Sequence, residues 1–120
     1  ALTGLFTYER LVLIFGAPAD KDVAGVLKPL LPLAARAIMT VSTHPRAAAP
    51  AELAAIAAEL GHSVETAVSV ADAFAAAWQQ AGADDLICIT GSIVVVGDFL
   101  NQWHNLRARY IEKPSTAVES

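Results

Sequence analysis

Cysteine is almost missing from this chain: one thiol, Cys88, stands inside the apolar run Leu86–Thr90. That leaves neither a disulfide framework nor a multi-cysteine metal centre, and it suits a cytoplasmic protein in which Cys88 is a small core residue and not a nucleophile. Charge is sparse too. Eight basic residues against twelve acidic ones leave a formal net charge of −4 with no basic cluster, so the chain has no general attraction for nucleic acid or an anionic membrane. No apolar run approaches the roughly 18 residues of a spanning helix, and no signal-peptide pattern is present. Three motifs are also lacking: the G-x-x-x-x-G-K-[ST] phosphate loop, the G-x-G-x-x-G dinucleotide fingerprint and the G-x-S-x-G nucleophile elbow. Whatever chemistry the chain joins, it does not carry the whole apparatus.

What is present is a compact core. At 120 residues with 55% apolar and 17% charged content, the sequence specifies one globular domain. The stretch Leu11–Asp22, LVLIFGAPADKD, organises it: a short apolar run bounded by a Gly-Ala-Pro turn reads as a strand buried on both faces. Ala37–Ser42, Asp85–Thr90 and, more weakly, Val64–Val68 read as further strands. Asp20 or Asp22 can cap a helix with Val23, Val26, Leu27 and Leu30 on one stripe, expected to kink or end near Lys28 and to continue as a loose apolar turn to Ala35, because Pro29 and Pro32 lack amide donors. Pro50 opens a second helix (Leu53, Ile56, Ala57, Leu60) that stops at Gly61, and Ser69 caps a third with Val70, Phe74 and Trp78 in register. Val95, Val96, Phe99, Leu100 and Trp103 mark a last helix, and Leu2, Leu5 and Phe6 suggest helical turns at the start. Strands alternating with helices imply an α/β fold, a three-layer α/β/α sandwich with a mostly parallel sheet. The domain is assigned to residues 1–111 and a flexible tail to 112–120.

In a parallel sheet, the loops Asp20-Lys21-Asp22, His44-Pro45-Arg46 and Thr90-Gly91-Ser92 all lie at carboxyl ends of strands, where such folds place ligands. Two cations, two carboxylates, an imidazole and a serine at a helix start suit an anionic or zwitterionic small ligand: Arg46 can grip a carboxylate with two hydrogen bonds and Ser92 can hold another group. Plainer roles fit the same residues, with Asp20, Asp22 and Ser92 as helix caps and Lys21, His44 and Arg46 as solvated loop residues. A receiver-type phosphorelay module does not fit, because the strand ends present Gly16, Ser42 and Thr90 where that fold needs acidic residues and a lysine. A non-catalytic α/β binding or oligomerisation module remains the alternative.

Taken in order, LVLIFGAPADKDVAGVLKPLLPLA, the loop HPRAA and the late TGSIVVVGDFL resemble the C-terminal domain of the folylpolyglutamate synthase/dihydrofolate synthase family, relatives of the Mur ligases. The likeness runs from about Leu2 to Leu100. It implies a Rossmann-like domain of an ATP-dependent amide ligase that adds L-glutamate to folate or dihydropteroate through an acyl phosphate. ATP and Mg would be bound mainly by an N-terminal ATPase domain of the same enzyme, onto which this domain closes to exclude water. By position in the family motifs, Asp20, Lys21 and Asp22 fall on the ATP and acyl-phosphate side, and Arg46, Ser92 and His44 on the glutamate side. His44 stands where the family has Asn or Gly before Pro-Arg. The family's D-G-A-H-N-P stretch is expected upstream of Ala1, which implies a missing first strand and an isolated chain without ligase turnover.

Overall fold

The computed structural model of the protein describes residues 10–41, 43, 45–82, 85–91, 96, 97, 99 and 100, and the backbone of 115–118. Among the described residues five strands form one sheet: β1 (Leu11–Phe15), β2 (Arg36–Met39), β3 (Glu65–Thr66), β4 (Leu86–Thr90) and β5 (Ser115–Val118). Their order is β3-β2-β1-β4-β5, and every pairing is parallel. Strand β1 lies at the centre, with Leu13 opposite Ala37 on one side and Cys88 on the other.

All five β1 residues are buried, as expected of a central strand covered on both faces. Alternate residues serve different layers. Leu11, Leu13, Phe15, Met39 and Cys88 pack with Val23, Leu27 and Leu53 from α1 (Val23–Leu30) and α2 (Pro50–Glu59). Val12, Ile14, Ile38, Ile87 and Ile89 pack with Val70, Phe74 and Ala77 from α3 (Val70–Gln80) and with Val96 and Phe99. The three-layer α/β/α sandwich expected from the alternation of elements is therefore present, and Cys88 is a core residue of it. No helix among the described residues is long and apolar enough to cross a membrane.

Helix α1 ends at Leu30, just past Lys28, and continues as a 3-10 turn at Leu31–Leu33, as expected from Pro29 and Pro32. The other boundaries differ from expectation in three places. Strand β2 stops at Met39, although the Thr40 amide still donates to the Phe15 carbonyl at 2.9 Å. Leu100, counted on the buried stripe of the last helix, is 52% exposed, while Val96 and Phe99 are buried. The tail expected to be flexible from 112 instead supplies β5 at Ser115–Val118, paired with β4; its Thr and Val favour strand, and β4 otherwise presents a row of unpaired backbone groups on that side. The expected helix at Leu2, Leu5 and Phe6, and the stripe positions Val95 and Trp103, lie outside the described residues.

Candidate functional site

The sheet order places a reversal at β1. From β1 the chain steps outward through β2 to β3, then returns to the opposite flank for β4 and β5. In parallel sheets the carboxyl ends of the two strands flanking such a reversal open a crevice in which ligands bind. Here those ends release Gly16–Asp22 after β1 and Gly91 after β4.

The two loops touch. The Gly16 amide donates to the Thr90 carbonyl at 3.3 Å. Gly91 is buried, with φ +117°, and a Cβ on it would fall 2.3 Å from the Gly16 carbonyl oxygen and 3.0 Å from Phe15 Cδ1. Only glycine accepts both that dihedral and that approach. The Lys21 ammonium, partly buried, donates to the Gly91 carbonyl oxygen.

The third loop is zipped to the first. The Ala48 amide donates to the Ala17 carbonyl at 2.9 Å, the Ala19 amide to the Arg46 carbonyl at 2.8 Å, and Pro18 and Ala47 form an antiparallel bridge. Exposed Arg46 is thereby brought to the edge that carries Asp20 and Lys21. Asp20 is exposed there. Asp22 serves the scaffold, since its Oδ1 accepts the Gly25 amide at 3.1 Å and caps α1. Ser92 and His44, both singled out from the sequence, lie outside the described residues.

Two features escaped sequence reasoning. Thr40 is buried at the end of β2, and its Oγ1 donates to the Ala67 carbonyl at 3.2 Å, tying the exits of β2 and β3 together; a lone hydroxyl closing the apolar run AIM is the signal that marked it. Asp85 is buried at the opposite end of the sheet. Its carboxylate takes Arg10 Nε at 3.3 Å, a second Arg10 nitrogen at 2.7 Å and the Gly82 amide at 2.8 Å. The Arg10 guanidinium and the Gly82 amide hold the Asp85 carboxyl below the usual carboxylate range, against the opposing pull of burial.

A depression of about 510 Å³ also opens at that amino end, with Arg10, Arg36, Ser63 and Glu65 in its wall. Its guanidiniums are engaged by carboxylates, Arg10 by Asp85 and Arg36 by Glu65 at 3.5 Å. The convergent loops lie at the other end, and the carboxyl edge is the candidate site. With the cations Lys21 and Arg46 on it, the carboxyl edge suits an anionic group. Among the described residues no three His, Cys, Asp or Glu side chains gather as a metal site.

Comparison with known proteins identifies the family. The sequence model of the Mur ligase, glutamate ligase domain, matches residues 1–93. A "probable bifunctional folylpolyglutamate synthase/dihydropteroate synthase" of Halobacterium salinarum is 33% identical over 99 residues, 82% of this chain and 12% of that protein. E. coli FolC in complex with DHPP and ADP superposes with a TM-score of 0.74 at 28% identity, over 86% of this chain and 24% of that one. A Mycobacterium tuberculosis folylpolyglutamate synthase complexed with ADP and AMPPCP gives 0.69 at 30% identity, over 92% and 25%. The chain thus spans about an eighth to a quarter of the length of the proteins it matches. A central parallel sheet, a reversal at β1 and a matching model over three quarters of the residues converge on one assignment: the chain belongs to the Mur ligase family, as a glutamate ligase domain.

Proposed function

We propose that this domain supplies the amino-acid side of an ATP-dependent amide ligase that joins L-glutamate to a folate or dihydropteroate carboxylate. The observation that carries the reading is the zipping of the Arg46 loop onto the β1 loop at the sheet's reversal point, beside Lys21. In the reaction, a carboxylate oxygen of the folate or pteroate attacks the γ-phosphorus of ATP and ADP leaves. The glutamate ammonium gives up one proton to solvent or a base, the neutral nitrogen attacks the acyl phosphate carbon, phosphate departs with the C–O electron pair, and a second nitrogen proton passes to the departing phosphate or to solvent. The domain's part is to hold glutamate and to exclude water: Arg46 grips a glutamate carboxylate, Ser92 and His44 are assigned to the same substrate by their place in the family motifs, and Asp20 is assigned to the nucleotide side. An acyl phosphate exposed to water hydrolyses, so closure of the domain over the reaction protects it.

Two exposed carboxylates, one of them engaged in a helix cap, do not build a magnesium cage. Magnesium commonly takes one or two carboxylates together with phosphates and water, so the ion's ligands would come chiefly from the nucleotide and the ATPase domain of the same enzyme. Those domains, like the cytoplasmic setting, belong to this reading.

The test is glutamate-dependent phosphate release by the whole ligase carrying this domain. Arg46→Ala removes a charge-assisted contact of about 1.5–3 kcal/mol, or roughly 10- to 100-fold in the glutamate KM, with the ATP KM unchanged. Unaltered glutamate KM in both Arg46→Ala and Ser92→Ala would remove the assignment.

A further inference from the structure

We propose that Lys21 is a positioning residue for glutamate: its ammonium latches the loop after β1 to the turn after β4, and that latch, and not a contact with phosphate, is what Lys21 contributes. The inference rests on the glutamate-ligase reading above.

The first support is the bond itself, from Lys21 Nζ to the Gly91 carbonyl. Gly91 has no side chain with which to anchor its turn, and the space a Cβ would need is filled by Gly16. The backbone bond joining these loops nearby, Gly16 to Thr90, is 3.3 Å long, beyond the usual range for an amide donor. A lysine that reaches across with up to three donors therefore supplies much of what holds the turn in place.

The second support is that Lys21 is itself held. Its amide donates to the Pro18 carbonyl at 3.2 Å, and its carbonyl accepts from the Val23 amide at 2.8 Å, directly before the Asp22 cap of α1. Two residues upstream, Ala19 is bonded to Arg46 at 2.8 Å. A continuous line of contacts thus runs from Gly91 through Lys21 and Ala19 to Arg46. Its two ends are the loop that carries the proposed carboxylate grip and the peptide that leads into Ser92. Shifting one end against the other by about 1 Å misplaces a substrate held between them, and such misplacement costs on the order of 100-fold.

The test uses the whole ligase with Lys21→Met, which keeps the stem and loses the donors, and Lys21→Arg, which can still donate to a carbonyl. Two readouts are taken: amide hydrogen exchange at Gly16 without substrates, and the separate KM values for glutamate and ATP. The expected result is that Lys21→Met exchanges at Gly16 at least tenfold faster and raises the glutamate KM about tenfold or more with the ATP KM unchanged, while Lys21→Arg recovers part of both. Unchanged exchange at Gly16 overturns the latch. A raised ATP KM or a lowered kcat at saturating glutamate, with the glutamate KM unmoved, overturns it in favour of a phosphate contact. Faster exchange with a glutamate KM that responds to Arg46→Ala but not to Lys21→Met overturns the positioning role alone; if neither variant moves it, the glutamate reading falls and takes the positioning role with it.

Discussion

Gly91 lies against Gly16 with no room for a side chain, since a Cβ on Gly91 would stand 2.3 Å from the Gly16 carbonyl oxygen. Gly61, after α2, also has positive φ, at +88°, but nothing lies within 4 Å of its Cβ position. The pair separates two costs of replacing glycine. Gly61→Ala should lose only the dihedral strain, about 1–2 kcal/mol. Gly91→Ala carries that strain plus the displacement of one loop by another, about 3 kcal/mol or more in total. Urea unfolding of both variants checks this, and equal losses would show that the contact between the loops is not tight.

Asp22 is at once a motif residue and a helix cap, and substitution separates the two. Asn caps as well as Asp does, so Asp22→Asn should hold stability within about 0.5 kcal/mol, whereas Asp22→Ala should lose about 1 kcal/mol. Gly25 offers a cross-check. A Cβ there would stand 2.4 Å from Asp22 Oδ2, so Gly25→Ala should forfeit the gain of about 1 kcal/mol that Gly to Ala brings inside a helix. In the Asp22→Ala background, where that oxygen is gone, Gly25→Ala should become stabilising. A double-mutant cycle in urea measures the coupling, and additive effects would deny the cap.

The course of the chain was legible where one face of an element had to be buried. The buried run at Leu11–Phe15, the cap at Ser69, Pro50 at the head of α2 and the apolar spacing of Val70, Phe74 and Trp78 each state a local preference that the packing then uses. The gathering of the Asp20, Arg46 and Gly91 loops on one edge followed from parallel strands alone. Strand β5 was not legible, because Ser115–Val118 is too short and polar to announce itself and depends on the vacant flank of β4. The bond from Lys21 to Gly91 was equally hidden, since it joins positions 70 residues apart. Sequence marks Lys21 as a cation, but only the fold gives it an acceptor.

Phe74 is the centre of an aromatic group on the α3 face of the sheet. Its ring centroid lies 5.0 Å from that of Phe99 and 5.9 Å from that of Trp78, both in tilted arrangements, and Phe74 is fully buried. Phe74→Ala should cost about 3–5 kcal/mol through lost transfer energy and the cavity left behind, while Phe74→Leu, which fills much of the space, should cost about half as much. Trp78 reports on the same site: its fluorescence should change in Phe74→Ala under conditions where circular dichroism still shows a folded chain. A loss near 1 kcal/mol would mean that the face closes over the gap.

Asp85 makes stability depend on acid pH, and the sign follows from its partners. Arg10 and the Gly82 amide stabilise the charged carboxylate, so its pKa in the folded chain lies below the unfolded value of about 3.9. A group depressed in this way adds stability that is fully present above the unfolded pKa and is lost as pH falls through the folded one. Asp85→Asn deletes the titrating group and leaves the Arg10 guanidinium facing an amide. Wild type should therefore exceed Asp85→Asn by a constant margin from about pH 5 to 8, and the margin should shrink as pH falls below about 4. Because Arg10 is 56% exposed, added salt should trim only the through-space part of that margin, and the hydrogen bonds to the buried oxygens should keep the rest. Urea midpoints for the two proteins across this pH range measure it. A margin that does not narrow in acid would mean that Asp85 acts through its shape and not its charge.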